Sequence, residues 1–239
     1  MTAGAIALIV VAGVIVGGVP HPVSASASAP PKSTTAGFDR STHSKTRPSS
    51  PWVIVNKHHP MSPRNWAPSD LVTVNVAHAN PPRMRAQAGA ALVKLFAAAR
   101  KHGGGAMQVQ SAYRSYSTQV SVYNGWVKSL GKKAADRQSA RPGYSEHQTG
   151  LAVDISSVPA KCSLAACFGT TRQGKWLKAK AWKYGFLLRY PSSKEKVTGF
   201  RYEPWHFRYI GKSLAAQMHA KNILTLEEFF GYQPAPSYR

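Results

Sequence analysis

Asp154 lies inside the apolar stretch Leu151-Ala152-Val153-Asp154-Ile155, which reads as a strand. An unpaired carboxylate is expensive to bury, so any fold that uses this strand must bring a compensating group to it. An arginine would serve, and arginines are plentiful. A metal ion would serve too, because His147 stands on the same segment, Ser145-Glu146-His147-Gln148-Thr149-Gly150, and His206 follows about fifty residues later in Glu203-Pro204-Trp205-His206. Two imidazoles, one carboxylate ligand and one spare carboxylate make the inventory of a hydrolytic zinc site. On this reading His147, Asp154 and His206 hold one zinc ion and leave a fourth position for water. Glu203, close to His206 but not a ligand, is the proton-transferring base and acid. Spacing alone is a weak signal; the apolar surroundings of Asp154 strengthen it.

With 239 residues and 43% hydrophobic content the chain can bury a core, and its length suggests one domain plus extensions. The formal charge of +22, from 31 Lys and Arg against nine Asp and Glu, attracts the chain to anionic surroundings, nucleic acid or an anionic cell wall. The basic residues show no aromatic-interleaved cluster and no nucleic-acid motif, so no nucleic-acid partner is expected. Residues 1–29 combine an uncharged apolar run with the small-residue stretch Val23-Ser24-Ala25-Ser26-Ala27-Ser28-Ala29, which reads as a signal peptide or an N-terminal membrane anchor and so as export. Residues 30–50, rich in Ser, Thr and Pro, read as a flexible linker. In an exported chain Cys162 and Cys167 are expected to form a local disulfide.

Trp52-Val53-Ile54-Val55 is a strand candidate. Apolar residues at Met84, Ala88, Leu92, Leu95, Phe96 and Ala99 predict a helix over roughly 82–102, stopped at Gly103-Gly104-Gly105. Met107–Ala112 alternates like a strand, after which Ser115 caps a helix that Gly131 ends. Leu151–Ile155, Phe186–Tyr190 and Trp205–Ile210 read as strands, with a helix between Trp176 and Gly185. Without a regular βαβ rhythm the class is α+β, with a central, largely antiparallel sheet flanked by helices and the zinc site at the sheet.

The order of these segments resembles the VanY-type D-alanyl-D-alanine carboxypeptidases. The likeness runs through Val55-Asn56-Lys57, Tyr113-Arg114-Ser115-Tyr116-Ser117-Thr118-Gln119, the stretch from Pro142 to Asp154, Tyr184-Gly185-Phe186 with Arg189-Tyr190-Pro191, Thr198-Gly199, the stretch from Tyr202 to Tyr209, and Leu226-Glu227-Glu228. It covers about residues 51–232, leaving 233–239 as a C-terminal tail. The resemblance implies a D,D-peptidase or hedgehog-like fold and a zinc peptidase that removes the terminal D-alanine from peptidoglycan stem peptides. It implies zinc on His147, Asp154 and His206, with Glu203 as acid and base. Arg114 is implied at the substrate carboxylate or the oxyanion, Gln119 and Ser145 as further substrate contacts, and Tyr190 and Trp205 in the pocket wall. Anionic wall polymers are a further partner class.

Glu146 is expected to point outward, since neighbours on an extended segment face opposite sides. His21, His43, His58, His59, His78, His102 and His219 have no partner pattern. Three rivals stand beside the D,D-carboxypeptidase. An L,D-carboxypeptidase trimming tetrapeptide stems differs by one stereocentre, a matter of pocket shape. A non-enzymatic wall-binding module would keep zinc for structure, but such a site has no use for Glu203. A basic nucleic-acid binder rests on charge alone.

Overall fold

The structure is a computed structural model that describes residues 38–239 and, ahead of them, Gly13 alone. Two short strands, β1 (Leu71–Thr73) and β2 (Arg83–Arg85), pair antiparallel and lead into helix α1 (Ala86–Lys101). The helix begins later than its apolar pattern because Arg83–Arg85 is taken up by β2. Its repeat buries Ala88, Leu92, Leu95, Phe96 and Ala99 on one side. Strand β3 (Met107–Ser111) follows, then helices α2 (Tyr116–Leu130) and α3 (Lys132–Gln138). Ser115 Oγ accepts from the Thr118 amide at the start of α2, and Gly131, at φ 74°, ends it. Strand β4 (Ala152–Ser157), helix α4 (Arg172–Lys180), strand β5 (Phe186–Leu188), the short helix α5 (Glu195–Thr198), strand β6 (His206–Tyr209) and helices α6 (Lys212–Ala220) and α7 (Leu226–Phe230) complete the order.

The main sheet runs β3-β4-β6-β5 with every neighbouring pair antiparallel. The α+β expectation holds. Strand alternation sorts the two faces of the sheet. Val153, Ile155, Phe207 and Tyr209 belong to the core that includes the buried face of α1, while Asp154, His206 and Arg208 occupy the other face. Each buried Leu or Phe of α1 stabilises the fold by about 1.5–3 kcal/mol relative to exposure. A second core joins Trp52 and Ile54 to α6 and α7 through Ile210, Leu214, Met218, Leu226 and Phe229.

Three expectations change. Trp52–Val55 is buried but is not a strand: the Ile54 amide donates to Lys45 O, and the carbonyls of Pro51 and Val53 accept from Arg208. Its backbone is satisfied by a loop and a side chain, so no partner strand is required. The described part of the expected linker, residues 38–50, is ordered because Phe38 anchors it with ring centroids 5.6 Å from both Trp52 and Phe229. The expected tail is anchored as well: Ala235 is fully buried, and Tyr238 accepts a hydrogen bond from the Arg141 amide at 2.8 Å. Residues 1–29 as leader or anchor, and 30–37 of the linker, lie outside the described residues. Among the described residues no helix is long and apolar enough to cross a membrane. Cys162 and Cys167 are joined as a disulfide with Cα atoms 5.6 Å apart.

Candidate active site

The register of β4 against β6 places Asp154 opposite His206, and directly opposed residues of an antiparallel pair share a face. His147 arrives from a short 3₁₀ turn, Glu146–Thr149, which Gly150 closes at φ 67°. That turn is pinned by the chain after β3: His147 Nδ1 donates to Ala112 O at 2.7 Å, and the Arg114 amide donates to His147 O at 3.2 Å. Imidazole nitrogens of His147 and His206 and a carboxylate oxygen of Asp154 all lie within 4.8 Å of one another, and all three residues are buried. The two rings stand nearly perpendicular, 4.9 Å apart.

Hydrogen-bond logic decides what this cluster suits. A carbonyl can only accept, so the proton of His147 sits on Nδ1, and Nε2 presents a lone pair to Asp154 Oδ2 at 3.2 Å. His206 stands between two carboxylates, with Nδ1 3.0 Å from Asp154 Oδ1 and Nε2 3.4 Å from Glu146 Oε2. Burial disfavours its charge, but hydrogen bonds to both carboxylates push it up to about 9, so without a metal each ring nitrogen donates. The His147 Nε2 lone pair, the Asp154 carboxylate and His206 Nδ1 therefore converge on one locus. A cation at that locus would take the place of the His206 Nδ1 proton. Burial pushes His147 below the usual histidine value, with Asp154 opposing, so protonation is disfavoured on that ring. The donor set of two nitrogens and one oxygen is that of a catalytic zinc site.

Glu203 lies in the loop before β6 with its Oε2 3.9 Å from His206 Nδ1. Burial pushes its carboxyl up to about 7, with His206 opposing. Both line a cleft of about 580 Å³, whose walls also include Arg114, Ser145, Tyr190 and Trp205. Arg114 is half-buried; its Nη1 donates to Gln119 Oε1 at 2.9 Å and its Nη2 to Ser111 Oγ at 3.3 Å. The Tyr190 ring lies 4.8 Å from that of His206, and Trp205 is shared between the cleft and the main core.

Two expectations are corrected here. Gln119 is not in the cleft wall: it is fully buried, and its amide donates to Ser139 Oγ and Ala140 O while its oxygen holds Arg114. It can reach a substrate only through Arg114. Glu146 does not point outward. It is buried, because the segment is a 3₁₀ turn and the alternation of an extended strand does not apply. Its Oε1 accepts from Arg189 Nε and Arg208 Nη1, both at 2.8 Å. Burial disfavours its charge, but the two guanidiniums hold its carboxyl well below the usual range. Sequence reasoning missed Glu146, Arg189 and Arg208 together, although Arg208 lies in an apolar strand and Arg189 directly follows another, the same signal that singled out Asp154.

The family pattern of the VanY D-alanyl-D-alanine carboxypeptidases matches residues 81–212, more than half of the chain and inclusive of all these cleft groups. The chain belongs to that family. Among curated VanY-like relatives, the putative carboxypeptidase YodJ of Bacillus subtilis (strain 168) is 44% identical over 183 residues, covering 74% of this chain and 66% of that protein. The chain spans 36% of a D-alanyl-D-alanine carboxypeptidase of Enterococcus faecium, at 40% identity over 124 residues and 52% of this chain. It thus spans less than two thirds of these relatives' lengths. Among solved structures, the LdcB LD-carboxypeptidase superposes with a TM-score of 0.71 at 41% identity, covering 78% of this chain and 88% of that one. A mutant of the vancomycin resistance D,D-pentapeptidase VanY from a VanB-type cassette, in complex with Zn(II), gives 0.63 at 30% identity over 74% of this chain and 97% of that one.

Proposed function

We propose that this chain is an exported, zinc-dependent carboxypeptidase that releases the terminal D-alanine of peptidoglycan stem peptides. The observation that carries the reading is the convergence of His147, Asp154 and His206 with Glu203 and Arg114 in one cleft. Zinc held by the three ligands would polarise the scissile carbonyl and acidify a water. Glu203 takes one proton from the attacking water and returns it to the leaving nitrogen, so the peptide C–N bond breaks as the new C–O bond forms and D-alanine leaves as an amine. The guanidinium of Arg114 anchors the substrate's terminal carboxylate, a task suited to a permanent cation with a planar fork of donors. Ser145 offers a hydroxyl to the peptide backbone, and Tyr190 and Trp205 confine the terminal methyl.

Two stems yield D-alanine by this chemistry. A pentapeptide ending in D-Ala-D-Ala requires D,D-specificity, and a tetrapeptide requires L,D-specificity. The family description supports the first. The second is favoured by a specific comparison, 41% identity to an LD-carboxypeptidase against 30% to a D,D-pentapeptidase. Amino-acid release from the two synthetic stems, each with a free terminal carboxylate, separates them. Zinc-dependent D-alanine release from either supports the proposal, and no release from both contradicts it. A wall-binding module without activity would leave Glu203 without a role. The charge of +22 supports attraction to anionic wall polymers.

A further inference from the structure

The two oxygens of Glu146 face different neighbours. Oε1 is held by Arg189 and Arg208, and Oε2 faces His206 Nε2 at 3.4 Å. The side chains of Glu146, Arg189, Arg208 and Glu227 are all inaccessible to solvent. Arg189 forks onto Glu227 with bonds of 3.0 and 2.7 Å, and Glu227 accepts a further bond from the Asn56 amide at 2.9 Å. Arg208 Nη2 donates to Pro51 O and Val53 O. Two carboxylates and two guanidiniums thus balance, and Glu146 has no freedom to move its oxygens. Four buried charges are a poor way to gain stability, since apolar groups of similar volume generally do as well. The arrangement calls for a reason other than stability.

Of the three carboxylates beside His206, Asp154 belongs to the ligand cluster, and the other two divide by their surroundings. Glu203, on the Nδ1 side, has only the 3.9 Å approach to His206 among the ion pairs of the described residues, so its oxygens are free to exchange a proton. Glu146, on the Nε2 side, is locked by two arginines and can only accept. We propose that Glu146 is a positioning residue: clamped by Arg189 and Arg208, it holds the Nε2 proton of His206 and thereby presents the Nδ1 lone pair to the metal locus. The inference rests on the zinc reading above. Carboxylate partners of ligating histidines are a general device for fixing ring orientation and ligand basicity.

The test measures zinc affinity directly, by competition with a chromogenic chelator on the purified chain, for wild type, Glu146→Gln and Glu227→Gln. Glu146→Gln keeps the side-chain shape and removes the charge facing Nε2, and a loss of affinity of about 10- to 100-fold is expected. Glu227→Gln disturbs the same buried network without touching His206, so it should lower the unfolding temperature and leave zinc affinity within about threefold of wild type. Equal affinity for wild type and Glu146→Gln overturns the inference, as does an equal loss in both variants, which would make the network merely structural. Should Glu146→Gln not fold, nitrogen-15 correlation spectra of zinc-loaded wild type decide: a slowly exchanging Nε2 proton on His206 supports the clamp, and a freely exchanging one refutes it. Failure of wild type to bind zinc at all would overturn the metal reading itself, an outcome distinct from the other two.

Discussion

Arg114 is the group whose replacement most sharply separates substrate anchoring from chemistry. A guanidinium has five N–H donors, and two of its nitrogens are occupied by Gln119 Oε1 and Ser111 Oγ. At least one donor pair therefore remains for the cleft, and Gln119, itself fixed by Ser139 and Ala140, sets its plane. Arg114→Lys keeps the charge but loses the fork, and with it about one charge-assisted hydrogen bond of roughly 1.5–3 kcal/mol. At about 1.4 kcal/mol per factor of ten, kcat/KM should fall about 10- to 150-fold, most of it through KM if the carboxylate is bound equally in ground and transition states. The assay compares a stem peptide ending in a free carboxylate with the same peptide ending in an amide. Wild type should strongly prefer the carboxylate, and Arg114→Ala should accept both equally poorly. A variant without the guanidinium that still discriminates against the amide would show that another group reads the terminus.

His206→Ala should abolish zinc-induced stabilisation. Wild type should gain about 2.7 kcal/mol at a free zinc concentration a hundredfold above its Kd, and an equal thermal shift in the variant would contradict the ligand assignment. Gly150 adopts φ 67°, and a Cβ there would approach Arg85 Cγ and Leu71 Cδ2 at 2.9 Å. Gly150→Ala should therefore lower the Tm by several degrees, at about 1–2 kcal/mol for the left-handed backbone alone. Gly125→Ala in α2, where a Cβ meets nothing within 4 Å, should leave it unchanged or raise it, and calorimetry distinguishes the two. Burial opposes the charge of Asp136, but hydrogen bonds from Arg141 and Tyr123 hold its carboxyl below the usual value. A depressed folded value means stabilisation that is complete above the unfolded value near about pH 4 and is lost as pH falls through the folded one. The stability gap between wild type and Asp136→Asn in urea should accordingly be widest at neutral pH and narrow below about pH 4; a gap independent of pH would rule this out.

The parts of the fold that were legible in the sequence are those in which local pattern and tertiary role agree. The α1 stripe, the Ser115 cap and the stops at Gly131 and Gly185 all depend on neighbours within a turn or two, and they appear where the pattern places them. Asp154 was conspicuous because its charge conflicts with its surroundings. Trp52–Val55 misled for the opposite reason: its composition suits a strand, but its Val53 carbonyl is satisfied by Arg208, far away in sequence. Phe38 shows the same limit, since one aromatic ring in a polar segment suffices to dock it once Trp52 and Phe229 provide a surface. Glu146 was misplaced because the period of a strand was applied to a 3₁₀ turn, and the arginines that bury it come from sequence positions around 189 and 208. Residues whose role depends on a partner's side chain, Gln119 among them, carry no local mark of it.

The proposed role of Glu203 as proton carrier in a zinc-dependent release of D-alanine is tested by following that product from synthetic penta- and tetrapeptide stems with wild type and Glu203→Ala, with bound zinc measured in both. Wild type should release D-alanine from at least one stem, lose activity on chelation and regain it with zinc. Glu203→Ala should retain its zinc and lose about 10²- to 10⁴-fold in kcat, the range ordinary for removal of a general base. A zinc-loaded Glu203→Ala protein with undiminished kcat would rule out that role for Glu203.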